Sequence, residues 1–351
     1  MRSPVGRQPM PVKYWSFAGL VLTYWCNARC RSCYLSCGPE RSDTMSIASA
    51  VNIWRGLAAA SPHGCRVHLT GGEAFGDWEK LIEICNTAWR EGLSTPGGAG
   101  PLEKVETNAF WAADAAIVRE RIGALDAAGM GKFAISADPY HQEFVPIERC
   151  RLAASVAEEV LGAARVQVRW RDWLASGFDT DKLSPDERND LFAKYAGGGR
   201  DRWNGRAADE LATNLPACGK KLCMSAASFA DKNCTEALLR SRHVHVDATG
   251  AVMPGICAGI LLGRIDPADP SGVAALWRKL NEDHADRPVV GRLAKSGPTG
   301  LMQYACELGF SPDEYYAGKC HLCWAVRRFL ARRGLHSDEL GPAWLYEQSN
   351  G

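Results

Sequence analysis

The stretch TYWCNARCRSCYLSCGP, Thr23 to Pro39, crowds Cys26, Cys30, Cys33 and Cys37 together. Thiols at that density pair as disulfides, bind metal or do redox chemistry. Disulfide scaffolds belong to short secreted chains. This chain has 351 residues, and no apolar run of a secretory signal follows its opening MRSPVGRQPM. A reducing, cytoplasmic setting is therefore expected, where clustered thiols hold metal. The triad Cys26, Cys30, Cys33 has the spacing C-x3-C-x2-C. Three thiolates on one loop can bind three irons of a cubic cluster and leave the fourth open. A structural zinc site takes four ligands, usually as two close pairs. The triad fits that poorly, although Cys37 could be a fourth ligand.

Cysteines return late in the chain, at Cys218, Cys223, Cys234, Cys257, Cys306, Cys320 and Cys323. Cys65, Cys85 and Cys150 stand singly in apolar patterns and read as small core residues. The formal net charge is +1. That balance argues against nucleic acid and anionic membrane as partners. No apolar run is long enough for a membrane span. His243 and His245 alternate on one face of an expected strand and read as structural. Arg327, Arg328, Arg332 and Arg333 read as a solvated helix face.

The elements that must position the thiols alternate. Phe17 to Tyr24 reads as a buried strand, and Ile47, Ala50, Val51, Trp54, Leu57 and Ala58 repeat at helical spacing. Ser42 or Asp43 can cap that helix. Strands then read at Cys65–Thr70, Lys104–Thr107, Lys132–Ser136 and Arg165–Trp170, with helices between them. Parallel neighbours need such crossovers. The fold class is α/β, doubly wound or barrel, and chemistry collects at the C-terminal strand ends. Cys26 falls just past the first. The alternation stops after Trp170, and a boundary near residue 215 is expected.

The triad resembles that of the radical S-adenosylmethionine enzymes, in which C-x3-C-x2-C follows the first strand of an α/β barrel. The second strand ends in LTGGEAF, and Gly71, Gly72 and Glu73 look like the family's motif for the methionine amino group. Glycines let backbone approach a ligand, and a carboxylate accepts from an ammonium. The resemblance implies a partial (β/α)6 TIM-like barrel over residues 15–215 holding a [4Fe-4S] cluster and S-adenosylmethionine. Thr107, Asn108, Ser136, Asp138 and Arg169 match positions that contact cofactor or substrate. Two positions depart from the pattern. Ser32 stands where an aromatic is usual, with Tyr34 as its substitute, and Ala74 where proline is common.

Cys234, a hairpin turning at Thr249-Gly250, Cys257 and the late pair GKCHLC resemble the SPASM/Twitch auxiliary-cluster domains. The resemblance implies a second domain over 216–330, with Cys234, Cys257, Cys320 and Cys323 ligating an auxiliary [4Fe-4S] cluster. Zinc is the rival occupant, Cys218, Cys223 and Cys306 are unassigned, and a tail follows over 331–351. The implied activity is reductive cleavage of S-adenosylmethionine to a 5′-deoxyadenosyl radical that takes hydrogen from a substrate carbon. An electron donor such as flavodoxin or ferredoxin would serve it. An auxiliary cluster points to oxidation or bond formation, on a peptide as in maturases, or on a small molecule such as a sugar or aminocyclitol. A non-catalytic metal-binding scaffold is the third reading. Candidate acid, base or hydrogen-donor residues are Cys37, Tyr140, His141 and Glu143.

Overall fold

The computed structural model describes residues 11–196, 201–212, 215 and 224–347. Eight strands form one sheet: β1 (Phe17–Val21), β2 (Arg66–Thr70), β3 (Leu102–Thr107), β4 (Lys132–Ile135), β5 (Val166–Val168), β6 (His243–Asp247), β7 (Ala251–Pro254) and β8 (Gly263–Arg264). Their order is β5-β4-β3-β2-β1-β6-β7-β8. Helices α1 (Ile47–Ala60), α2 (Trp78–Arg90), α3 (Ala115–Ala127) and α4 (Ile147–Leu161) are the crossovers. Then follow α5 (Arg171–Ser176), α6 (Pro185–Ala196), α7 (Gly272–Asp283), α8 (Val290–Glu307) and α9 (Lys319–Arg332). The first five strands run parallel, so the chain is a mixed α/β protein around a parallel sheet with a cysteine-rich C-terminal region.

A sixth parallel strand joins on the β1 side. Strand β6 pairs with β1 in the register Gly19↔His245. The hairpin to β7 turns at Thr249 and Gly250, where Asp247 Oδ1 accepts from Thr249 N and Ala251 N. Gly250 sits at φ +75°, a conformation that suits glycine. Residues beyond 215 thus extend the sheet that carries the triad. Strand β1 is covered on both faces, which explains its run of small and apolar residues, FAGLV.

Helix α1 starts later than the sequence suggests. Its cap is Ser46, whose Oγ accepts from Ser49 N at 3.0 Å, rather than Ser42 or Asp43. The cause is the strand end nearby. Met45 N donates to Leu22 O at 2.7 Å and Thr44 bridges Thr23, so this segment stays extended. Cys65, Cys85 and Cys150 are buried in the core.

Two C-terminal features differ from expectation. Arg327 is not on a solvated face. It is 1% exposed and donates to Ala258 O, Tyr346 Oη and Asn204 Oδ1. Part of the segment past Arg333 packs as core. Glu339 accepts from Val289 N and Val290 N at the start of α8, supplying partners that a helix N-terminus lacks. Leu340, Leu345 and Tyr346 are buried, and Tyr346 stacks on Trp324 at 4.9 Å. Tyr346→Ala is therefore expected to cost about 3 kcal/mol or more. A denaturation midpoint unchanged from the parent would show the segment to be peripheral.

Candidate active site

The cysteine loop leaves the end of β1 and closes on itself. Cys26 N donates to Gly38 O at 3.1 Å, and Gly38 N to Tyr24 O at 3.3 Å. Between them Cys33 N donates to Cys30 O, and Ser36 sits at φ 51°. Arg206, from a distant part of the chain, is 1% exposed and pins the loop from behind. Its Nε donates to Cys30 O at 3.1 Å, its Nη2 to Cys37 O, and its backbone N to Ser36 Oγ. Sequence reasoning missed Arg206, because nothing in its own neighbourhood marks it.

The three thiols of the triad face the ends of β2, β3 and β4. Cys26 Sγ accepts from Ala28 N at 3.4 Å and from Asn108 Nδ2 at 3.6 Å. Burial pushes the Cys26 thiol up, and the neighbouring Cys30 adds to it. Cys33 Sγ accepts from Cys37 N at 3.4 Å. The Cys37 thiol also hydrogen-bonds Cys33, holding the Cys33 thiol below its ordinary value, with the Arg206 charge helping. Cys37 thus supports the triad.

Gly71 and Gly72 serve the fold at close quarters. A Cβ on Gly72 would lie 2.1 Å from Trp25 O, and one on Gly71 2.6 Å from Thr23 O. Their lack of a side chain brings the end of β2 against the root of the cysteine loop, where Gly72 N and Glu73 N donate to Thr23 O and Trp25 O. The Glu73 carboxylate is buried and accepts from Thr107 Oγ1 at 2.8 Å, Asn108 N at 2.7 Å and Phe75 N at 3.1 Å. Burial nevertheless pushes it up to about 7. It latches β2 to β3.

The end of β4 builds an ionic knot. Asp138 is fully buried and accepts from Tyr140 N, His141 N, His141 Nδ1 at 2.9 Å and Arg169 Nη1 at 2.9 Å. Burial opposes its charge, yet His141 and Arg169 hold its carboxyl below the usual range. Arg169 Nη2 also reaches Asp201 at 2.9 Å. The Cys30 thiol, like Asp138, favours the charged His141 imidazole, which couples the knot electrostatically to the triad. Tyr140 Oη is turned away onto Asp201, and Glu143 is paired with Arg188 at 2.5 Å. Neither lines a cavity beside the triad.

A cavity of about 140 Å³ lies against the triad and is also lined by Gly71, Gly72, Thr107, Asn108 and His141. It shares Ser32, Tyr34, Glu106, Ser136 and Arg169 with a larger one of about 740 Å³ on the inner face of the sheet. The larger cavity carries Lys104, Glu106, Arg202 and three histidines, none of which the sequence singled out as substrate contacts. Strand alternation was the available signal, since His68, Lys104 and Glu106 share the inward face.

The second cysteine group is also brought together. Cys320 and Cys323 lie one turn apart at the start of α9. Cys257 follows β7, and Cys234 precedes the helical turn Glu236–Arg240. Burial pushes the Cys257 thiol up, and Cys320, Cys323 and Cys234 repel it further. Burial and Cys323 do the same to Cys234, to about 12. Such mutual repulsion is what a bound cationic centre relieves. Cys306 is exposed, and Cys218 and Cys223 lie outside the described residues.

The cysteine sulfurs stand farther apart than ligands gathered around one zinc. Among the described residues, no three cysteine sulfurs lie within 4.8 Å of one another. Thiolates around one zinc at 2.3 Å would sit about 3.8 Å apart.

No family model matches the sequence, and no curated protein matches it. Solved structures align with the chain at low identity. BtrN in complex with AdoMet and 2-DOIA has 16% identity, covers 82% of this chain and 90% of its own, and gives a TM-score of 0.47. Native anSMEcpe with bound AdoMet and Cp18Cys peptide has 14% identity, with coverages of 90% and 97% and a TM-score of 0.42. Streptococcus suis SuiB bound to precursor peptide SuiA has 11% identity, with coverages of 88% and 76% and a TM-score of 0.38.

Arg206→Ala leaves the buried carbonyls of Cys30 and Cys37 without their donor. The expected cost is about 1–3 kcal/mol, and the variant should retain less iron after anaerobic reconstitution. Full iron retention would mean that the loop holds its shape without the guanidinium.

Proposed function

We propose that the chain is a radical S-adenosylmethionine enzyme acting on a compact polar substrate. The observation that carries this reading is that Cys26, Cys30 and Cys33, on the loop after β1, line a cavity that shares five lining residues with a larger one. Cys26, Cys30 and Cys33 would hold a [4Fe-4S] cluster, with S-adenosylmethionine beside Gly71, Gly72, Glu73, Thr107, Asn108, Ser136, Asp138 and Arg169. When bound, these groups supply one-electron cleavage to a 5′-deoxyadenosyl radical and hydrogen abstraction from a substrate carbon. The chain's own residues bind, orient and exclude water. Tyr34 and Ser136 border the passage between the two cavities. Arg169, anchored by Asp138 and Asp201, presents a fixed positive charge there.

Cys234, Cys257, Cys320 and Cys323 would ligate an auxiliary cluster in the cysteine-rich C-terminal region, whose strands continue the sheet of β1. The charged lining of the 740 Å³ cavity favours a small polar molecule, such as a sugar or aminocyclitol, over a peptide, which needs a groove along its length. A flavodoxin or ferredoxin would supply electrons. Among the described residues no helix is long and apolar enough to cross a membrane.

The test is anaerobic reconstitution followed by dithionite and S-adenosylmethionine. About eight irons per chain are expected, with 5′-deoxyadenosine as product. Cys30→Ala should abolish that product. Cys323→Ala should lower iron to about four per chain while the product still forms. Zinc in place of iron, with no 5′-deoxyadenosine, would leave only a metal-binding scaffold.

A further inference from the structure

Three histidines meet on the inner face of the sheet. His68 comes from β2, and His243 and His245 from β6, with β1 between them. Among the described residues they are the one group whose ligand atoms all lie within 4.8 Å of one another. His68 Nε2 is 3.0 Å from His243 Nε2. The strand between makes this meeting possible only because it carries glycine at that position. A Cβ on Gly19 would lie 2.5 Å from His68 Nε2 and 2.7 Å from His245 Nε2. Gly19 pairs with both His68 and His245 in the sheet register, so the two rings lean together over a bare backbone.

We propose that His68, His243 and His245 form a binding site for a divalent transition metal of the zinc class. Several independent observations support it. Three imidazoles with an open side are the donor set of a zinc site that accepts an outside ligand. His68 and His243 turn their Nε2 atoms toward each other. The far nitrogen of His68, Nδ1, is buried without a hydrogen-bond partner and faces Glu106 Oε1 at 3.5 Å. A carboxylate behind a ligating histidine fixes its tautomer and raises its basicity. Glu106 is itself held, by Thr70 Oγ1 at 2.6 Å and Lys104 Nζ at 2.6 Å.

The site also has access. All three histidines line the 740 Å³ cavity, together with Arg169 and Arg202. A cation held by three neutral imidazoles among those guanidinium groups takes an anionic oxygen, carboxylate or phosphate, as its further ligand. The metal would then fix one end of a bound molecule, leaving the other toward the cysteine triad. The metal site stands on its own geometry, and only this last role rests on the enzyme reading.

The test uses the full chain with its cysteines loaded with iron, so that zinc cannot collect there. After one equivalent of zinc and desalting, zinc and iron are counted, and X-ray absorption at the zinc edge reads the ligand type. The expected result is about one zinc per chain with nitrogen or oxygen neighbours near 2.0–2.1 Å and imidazole scattering. Glu106→Gln should weaken zinc binding by about 10–100-fold. The double variant His243→Ala, His245→Ala should lose the zinc and keep its iron. A sulfur shell near 2.3 Å, or zinc retention no lower in the double variant, overturns the proposal. Should the variant lose iron as well, the ligand shell of the unmodified chain decides. Iron count and 5′-deoxyadenosine formation are separate readings, so failure of the zinc site and failure of the enzyme reading are told apart.

Discussion

Strand β1 is hydrogen-bonded on both sides, to β2 and to β6, and what can do chemistry is arranged around it. From its end hangs the cysteine loop. Across its one glycine the histidines of β2 and β6 meet. Parallel pairing on both edges fixes the register, and a slip by one residue would turn every side chain to the other face. Gly19 would then no longer lie between His68 and His245, and the loop would start from the wrong side of the sheet.

A second set of contacts carries that geometry outward along the strand ends. Glu73 ties β2 to β3, and Asp138 ties β4 to Arg169 just past β5. Both carboxylates are buried and both are fully engaged by donors, as buried polar groups must be. They differ in charge. Around Glu73 the donors are neutral and burial pushes the carboxyl up, whereas His141 and Arg169 hold that of Asp138 below the usual range. One knot is therefore built on neutral donors, and the other is an ion network of Asp138, His141 and Arg169.

The sequence made local features readable. The triad, the alternation of β1 to β5, the crossover helices and the hairpin at Thr249-Gly250 each have a signal within a short window. Contacts between distant segments have none. That β6 would pair with β1 could not be read from HVHVD, which alternates as well for an isolated hairpin. His243 and His245 therefore looked like ordinary strand residues until β1 and β2 were placed beside them. Arg206 and Arg327 carry no local sign of burial. Each is buried because oxygens from distant parts of the chain accept from its guanidinium. Ser46 displaced nearer caps because the end of β1 held the preceding residues extended.

The pairing of β1 with β6 has a consequence in time. Tyr24 beside the first strand bonds Asp247 at a separation of 223 residues, and such distant contacts form late and slowly. On the ribosome the N-terminal thiols emerge long before Arg206 and β6 exist to seat them. Until then the cysteine loop is an unsupported, oxidisable segment. Its platform is complete only when most of the chain has been synthesised, so any iron loaded on the nascent loop meets an unfinished mount. The seating of the cysteine loop is thereby tied to completion of the whole sheet, and a chain cut short before β6 would present its thiols without a place to hold them.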